Sequence, residues 1–283
     1  MATAFLDTDQ ALDIARAAED LGYDGITVSD HIFFAEDLQS KYPYTPDGSP
    51  FWQASTPWPD PWVLIGAMAA VTTRLQFTTN VYVAPARDLF TVAKLVSTAA
   101  VLSGGRVTLG AGPGWCEDEF VQTGQDFATR GKRLDEMVEV LRRLFTGEAV
   151  EHHGRFYDFG TLSIAPVPPA PIPITIGGDS EFALRRAARL GDGWMGNVYK
   201  EDDALVYVGR MKKALADAGR STEGFDLNLA LMARPTPDLF KRFEDEGVTS
   251  VVVAPWMAAK EPTLESRVAS MAHFAETVLR ERP

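Results

Sequence analysis

The chain has 283 residues, 46% of them hydrophobic and 23% charged, enough to bury one barrel-sized core as a single domain over residues 1–283. A formal charge of −12 and a pI near 4.8 repel phosphate backbones and anionic lipid headgroups, so nucleic acid and membranes are poor partners and a small-molecule substrate is expected. The lone Cys116 has no internal disulfide partner, no basic leader precedes an apolar run, and no apolar stretch reaches the ~20 residues of a membrane span, which together predict a cytoplasmic protein.

Short β-branched or apolar runs alternate with segments of helical period along the whole chain, the pattern of repeated βα units. The first predicted strand is Ala2 to Leu6. The helix after it takes its cap from Asp7, Thr8 or Asp9, carries Leu12, Ile14, Ala15, Ala18 and Leu21 on one stripe, and stops at Gly22. The second strand, Gly25 to Ser29, leads into a long loop at 33–61 that is rich in proline and carries Tyr42, Tyr44, Phe51, Trp52 and Trp58. Long ordered loops are often functional.

The third and fourth strands are Leu75 to Thr79 and Arg106 to Gly110, and a helix from Phe127 to Phe145 ends at Gly147. A second irregular stretch, 148–171, holds a possible hairpin around His153-Gly154-Arg155. Strands at Ile172 to Ile176, Gly193 to Asn197, Asp226 to Leu231 and Ser250 to Val253 complete eight. The fold expected is α/β: one (βα)8 TIM barrel with insertions after strands 2 and 4.

In such a barrel the chemistry lies just after the strands. The second strand ends in Ser29-Asp30-His31, where His31 beside Asp30 can exchange a proton near neutral pH or simply satisfy a local backbone group. The third runs into Thr79-Asn80-Val81, polar where an apolar strand would continue. After the fourth, Gly110, Gly112 and Gly114 let a planar ligand approach the backbone, or make a tight turn. The fifth ends in Gly177-Gly178-Asp179-Ser180 at a helix start, where bare N–H groups suit a phosphate and Asp179 or Ser180 can also serve as the cap. The four histidines lack metal-site spacing, so no metal is expected, and the acids at 117–119 should raise the thiol pKa of Cys116 and leave it inert.

Taken together these segments resemble the luciferase-like monooxygenase superfamily, in particular its coenzyme F420-dependent oxidoreductase branch. The resemblance rests on Gly22-Tyr23-Asp24-Gly25 with Ser29-Asp30-His31, Leu102-Ser103-Gly104-Gly105-Arg106, Gly110 to Trp115 with Glu119-Phe120, Arg130 to Glu136, and Gly177-Gly178 with Gly191 to Trp194. It implies a homodimeric barrel and a bulge at Thr79-Asn80-Val81, with Asn80-Val81 a non-prolyl cis peptide. The cofactor ring would lie on that bulge beside Gly112, with its phosphate at Gly177, Gly178, Asp179 and Ser180, and Asp30 and His31 would be the catalytic pair.

The implied cofactor is F420, with FMN as the alternative, and the implied reaction is hydride transfer to or from an apolar or aromatic substrate lined by Trp115, Trp194 and Trp256. An FMN-dependent monooxygenase and a non-catalytic flavin-storage protein are the competing readings. In the sugar-phosphate dehydrogenases that the branch resembles, a glutamate donates a proton from the loop after the fourth strand. Trp115 stands at that position here.

Overall fold

The computed structural model describes residues 1–280. In chain order it comprises α1 (Ala11–Asp20), β1 (Gly25–Val28), α2 (Pro61–Ala69), β2 (Gln76–Thr79), α3 (Leu89–Leu102), β3 (Val107–Ala111), α4 (Glu117–Gln122) and α5 (Arg130–Leu144). There follow β4 (Val150–His153), β5 (Asp158–Leu162), β6 (Ile174–Gly177), α6 (Glu181–Leu190), β7 (Gly193–Tyr199), α7 (Glu201–Asp217), β8 (Asp226–Leu231), α8 (Pro237–Asp245), β9 (Ser250–Val252) and α9 (Leu264–Phe274). None of the described helices is long and apolar enough to cross a membrane.

Seven strands pair in parallel in the order β1-β2-β3-β6-β7-β8-β9. The amino terminus closes the ring, because Ala2 N donates to Val253 O (2.8 Å) on one side while Thr27 N donates to Met1 O (2.7 Å) and Thr3 N to Thr27 O (3.1 Å) on the other. This TIM-type barrel matches the expectation except in its first stave. The strand expected over Ala2 to Leu6 is only residues 1–3, since Leu6 N returns to Thr3 O and Phe5 adopts φ +70°. Phe5 then turns up to pack on Phe51, Trp52 and Trp58 of the long loop.

The apolar stripes read from the sequence do face inward: Ile14, Ala15 and Ala18 of α1 and Leu134, Met137, Val138 and Leu141 of α5 are buried against strands whose Phe77, Leu109, Ile174 and Leu229 are fully enclosed. Asp60 caps α2 through Trp62 N and Val63 N (both 3.0 Å), with Pro61 in the first turn. The cap expected for the first helix is absent. Thr8–Gln10 form a 3-10 turn without a side-chain cap, and Asp7 pairs instead with Arg267 (2.8 Å). Between α5 and β6, strands β4 and β5 form the antiparallel hairpin anticipated around Gly154.

At the amino-terminal end of the strands, Arg106 donates to the carbonyls of Ala69, Thr72, Leu75 and Ser103, which closes the ends of α2 and α3. Nearby, Glu19 accepts from the backbone N–H groups of Thr73, Arg74 and Leu75, which hold its carboxyl down at about 2. These contacts anchor the barrel at the end remote from the strand tips.

Candidate active site

The strand tips converge on a mouth roofed by the loop between β1 and α2. Ser40 ties that loop to the start of α4: its Oγ donates to Asp118 (2.6 Å) and accepts from Glu117 N (2.7 Å). The acids at 117–119, expected in a loop, therefore form the first turn of a short helix, where carboxylates favour the positive end of the helix. Cys116 is buried just before it, and burial first, then the neighbouring acids, push its thiol up.

His31 follows β1 and stands under the roof. Its ring centroid lies 5.0 Å from Trp52, 4.9 Å from Trp58 and 5.7 Å from Trp115, the last two edge-on. Its Nδ1 is 3.0 Å from Oε1 of Glu119, which also accepts from Ile32 N at 3.0 Å. Glu119 is 1% exposed, and its place opposite His31 was not legible beyond its membership in a motif. Trp115, expected to line the substrate pocket, is part of this aromatic box. Trp58 Nε1 is buried there without a hydrogen-bond partner among the described residues.

Asp30 has a different task from the catalytic one expected. Its side chain is fully buried and receives both Arg87 terminal nitrogens (2.8 Å each) and Val83 N (2.9 Å). Burial pushes its carboxyl up and the Arg87 charge opposes that. The result is a clamp on the segment after β2. Arg87 carried no sequence signal that paired it with Asp30.

That clamped segment contains the Asn80-Val81 peptide, which is cis. Asn80 N donates to Val28 O (2.7 Å), and its half-buried side chain makes no hydrogen bond among the described residues. Thr79 is wholly buried and exchanges hydrogen bonds with Gly110 through its hydroxyl (2.8 and 3.0 Å), so it fastens β2 to β3 and does not reach a ligand. Val81 sits between the ends of β3 and β6. A Cβ on Gly112 would come within 2.5 Å of Val81 Cγ2, and one on Gly177 within 2.5 Å of Val81 Cγ1. The two glycines thus make room for a valine. The direct ligand approach expected at Gly112 is taken by that side chain, whose half-buried surface forms a shelf at the mouth.

Gly178, at φ +119°, turns the chain out of β6 into α6. The N–H groups of Asp179, Ser180, Glu181 and Phe182 have no acceptor among the described residues, while Ser180 Oγ accepts from Ala183 N (3.2 Å) and keeps its own proton to donate. Free N–H groups at the start of a helix can cradle an anion. The Asp179 carboxyl turns away from these groups, because Tyr199 OH accepts from Asn197 N (2.8 Å) and so donates to Asp179 Oδ1. Burial pushes that carboxyl up, opposed by the Tyr199 hydroxyl and the Arg210 charge.

The two remaining tryptophans are corrected. Trp194 is fully buried and donates from Nε1 to Gly178 O (2.9 Å), so it braces the cradle from behind and does not line a substrate pocket. Trp256 is also buried, donating to Ala2 O (2.7 Å) beneath Arg267, where it seals the short first stave. In both, the indole is consumed by a backbone carbonyl. A cavity of about 440 Å³ lies at the other end of the barrel among Lys212, Phe225, Asp226, Asp245, Glu246 and Thr249, and touches none of these groups.

The strand ends thus carry a valine shelf, a helix start with free N–H groups and one histidine, a set of groups that could hold a flavin-type cofactor. Comparison with known proteins agrees in family. An uncharacterised protein of Mycobacterium tuberculosis is 39% identical over 98% of this chain and 97% of its own length. A protein of Nocardia farcinica named F420-dependent glucose-6-phosphate dehydrogenase is 31% identical over 77% of this chain and 62% of that protein. Among solved structures, the coenzyme F420-dependent tetrahydromethanopterin reductase of Methanopyrus kandleri superposes with a TM-score of 0.75 at 15% identity, covering 100% of this chain and 98% of that one, a likeness of fold. The model of the luciferase-like monooxygenase family matches residues 2–260, and the chain belongs to that family.

Proposed function

We propose that the protein is a cytoplasmic F420-dependent oxidoreductase that moves a hydride between the deazaflavin and a small, neutral, apolar or aromatic substrate. The observation that carries this reading is His31, fixed through Nδ1 in an aromatic box and carried, like Val81 and the helix start at 178–182, on a segment that follows the carboxyl end of a barrel strand. When bound, the deazaflavin supplies a two-electron hydride acceptor or donor. The chain's residues do the rest. Val81 backs one face of the ring, the N–H groups after Gly178 hold its phosphate, and the roof of Trp52 and Trp58 excludes water. His31 takes the hydroxyl proton of an alcohol as its hydride leaves, or returns it to a ketone in the reverse direction.

A phosphorylated sugar is a poor fit. Trp115 replaces the expected glutamate, and the nearest cations are spent: Arg87 on Asp30, and Arg130 on the carbonyls of Gly114 and Phe127. The competing reading is an FMN-dependent monooxygenase, which the shelf and cradle would serve equally; the family description names monooxygenases and no cofactor. A homodimer is supported by the exposed Val63 of α2 and Val101 and Leu102 of α3.

The test is steady-state turnover: oxidised F420 with a panel of neutral secondary and aromatic alcohols, followed by loss of its visible absorbance, beside reduced FMN with oxygen. Reduction of F420 by a neutral alcohol is expected. Turnover with FMN alone would transfer the chain to the alternative, and no turnover of either by protein that binds them would leave a storage protein.

A further inference from the structure

We infer that Glu119 is a positioning residue that fixes the tautomer of His31, so that Nε2 faces the substrate with an open lone pair. The inference rests on the proton-transfer role proposed for His31. One oxygen decides it. Glu119 Oε1 is 3.0 Å from Ile32 N, which can only donate, and 3.0 Å from His31 Nδ1. A carboxylate can only accept, and this oxygen takes the Ile32 N–H on one lone pair and faces Nδ1 with the other, so Nδ1 carries the proton. The neutral ring then has its lone pair on Nε2, the reverse of the tautomer that an unconstrained histidine side chain favours.

Several contacts stop the ring and the carboxylate from adjusting. The three tryptophans of the box lie within 5.7 Å of the ring centroid, and the carboxylate is buried on α4, whose start is fastened to the roof through Ser40 and Asp118. The same tie therefore holds both the roof and the helix that carries Glu119. In the forward direction the alcohol's O–H proton would pass to Nε2 while its C–H electron pair leaves as the hydride that a bound deazaflavin would accept, and a carbonyl forms. The imidazolium that results shares its Nδ1 proton with the Glu119 carboxylate. An Nε2–H tautomer would present a donor where an acceptor is needed.

The test is ¹⁵N NMR of the full-length protein labelled at its four histidines, with the His31 signals assigned by their loss in His31→Ala. Wild type should show His31 protonated at Nδ1. Glu119→Ala should move the proton to Nε2 and lower kcat for alcohol oxidation at least about tenfold, with KM little changed. Glu119→Gln keeps an acceptor oxygen in place and should retain the Nδ1–H signature, so it also separates tautomer control from loss of fold. A wild-type His31 protonated at Nε2, or a signature unchanged in Glu119→Ala, would overturn the inference. Full turnover by His31→Ala alongside the predicted tautomers would instead sink the proton-transfer role and leave the positioning by Glu119 standing.

Discussion

Gly112→Ala tests the shelf most directly. The glycine has no left-handed φ to protect, so the substitution acts through space alone. The new methyl would lie 2.5 Å from Val81 Cγ2, where carbon atoms in contact sit roughly 3.5–4.0 Å apart. Val81 has no retreat on its other side, because its Cγ1 is packed over Gly177. A clash in a site hemmed in this way costs about 1–3 kcal/mol, read as a lower urea midpoint with unchanged slope. Val81→Ala removes both γ carbons and leaves the nearest contact to Val81 Cβ at 3.4 Å. Gly112→Ala/Val81→Ala should therefore be more stable than the sum of the single changes by about 1 kcal/mol or more. Cofactor affinity should fall in Gly112→Ala, because the displaced valine lifts into the ring position. Additive energies, or a Gly112→Ala protein as stable as wild type, would refute the shelf.

Asp30→Asn leaves Arg87 buried against a neutral amide and should lower stability by about 3 kcal/mol in urea denaturation, whereas a change under about 0.5 kcal/mol would return Asp30 to the list of catalytic candidates. His31→Ala should depress kcat while leaving the cofactor dissociation constant within about twofold, measured by turnover and by fluorescence titration. The Glu19 carboxyl, held at about 2 in the fold against an ordinary 4.5, contributes stability above pH 4.5 that is lost as pH falls toward 2. Glu19→Gln should accordingly melt below wild type at pH 6 and alongside it near pH 2; a gap that persists at the acid end would show that the lost contact is not ionic.

The barrel was legible because its strands and helices announce themselves by period and punctuation, and Ile174 to Gly177 or Leu134 to Leu141 needed only local pattern. The first stave was not, since residues 1–3 become a strand only by lying between β1 and β9, a long-range pairing with no local mark. The site divides in the same way. Gly178 and Ser180 could be read from a glycine-rich strand end followed by a helix, and His31 from its place after a strand. Glu119 and Arg87 could not, because each takes its meaning from a partner 88 and 57 residues away. Tryptophans mislead for a related reason: an indole at a strand tip looks like a pocket wall, yet Trp194 and Trp256 each spend their one donor on a carbonyl and vanish into the core.

This mouth is proposed to hold F420, with its phosphate on the N–H groups after Gly178. Fluorescence titration of the purified protein with F420 and, separately, with FMN tests it, run on wild type and on Gly178→Asp, which sets a carboxylate in the cradle. Saturable binding of F420 by wild type is expected, with loss of F420 affinity in a Gly178→Asp protein that keeps its circular dichroism. Equal F420 affinity in the two proteins, or binding of FMN alone, would contradict it.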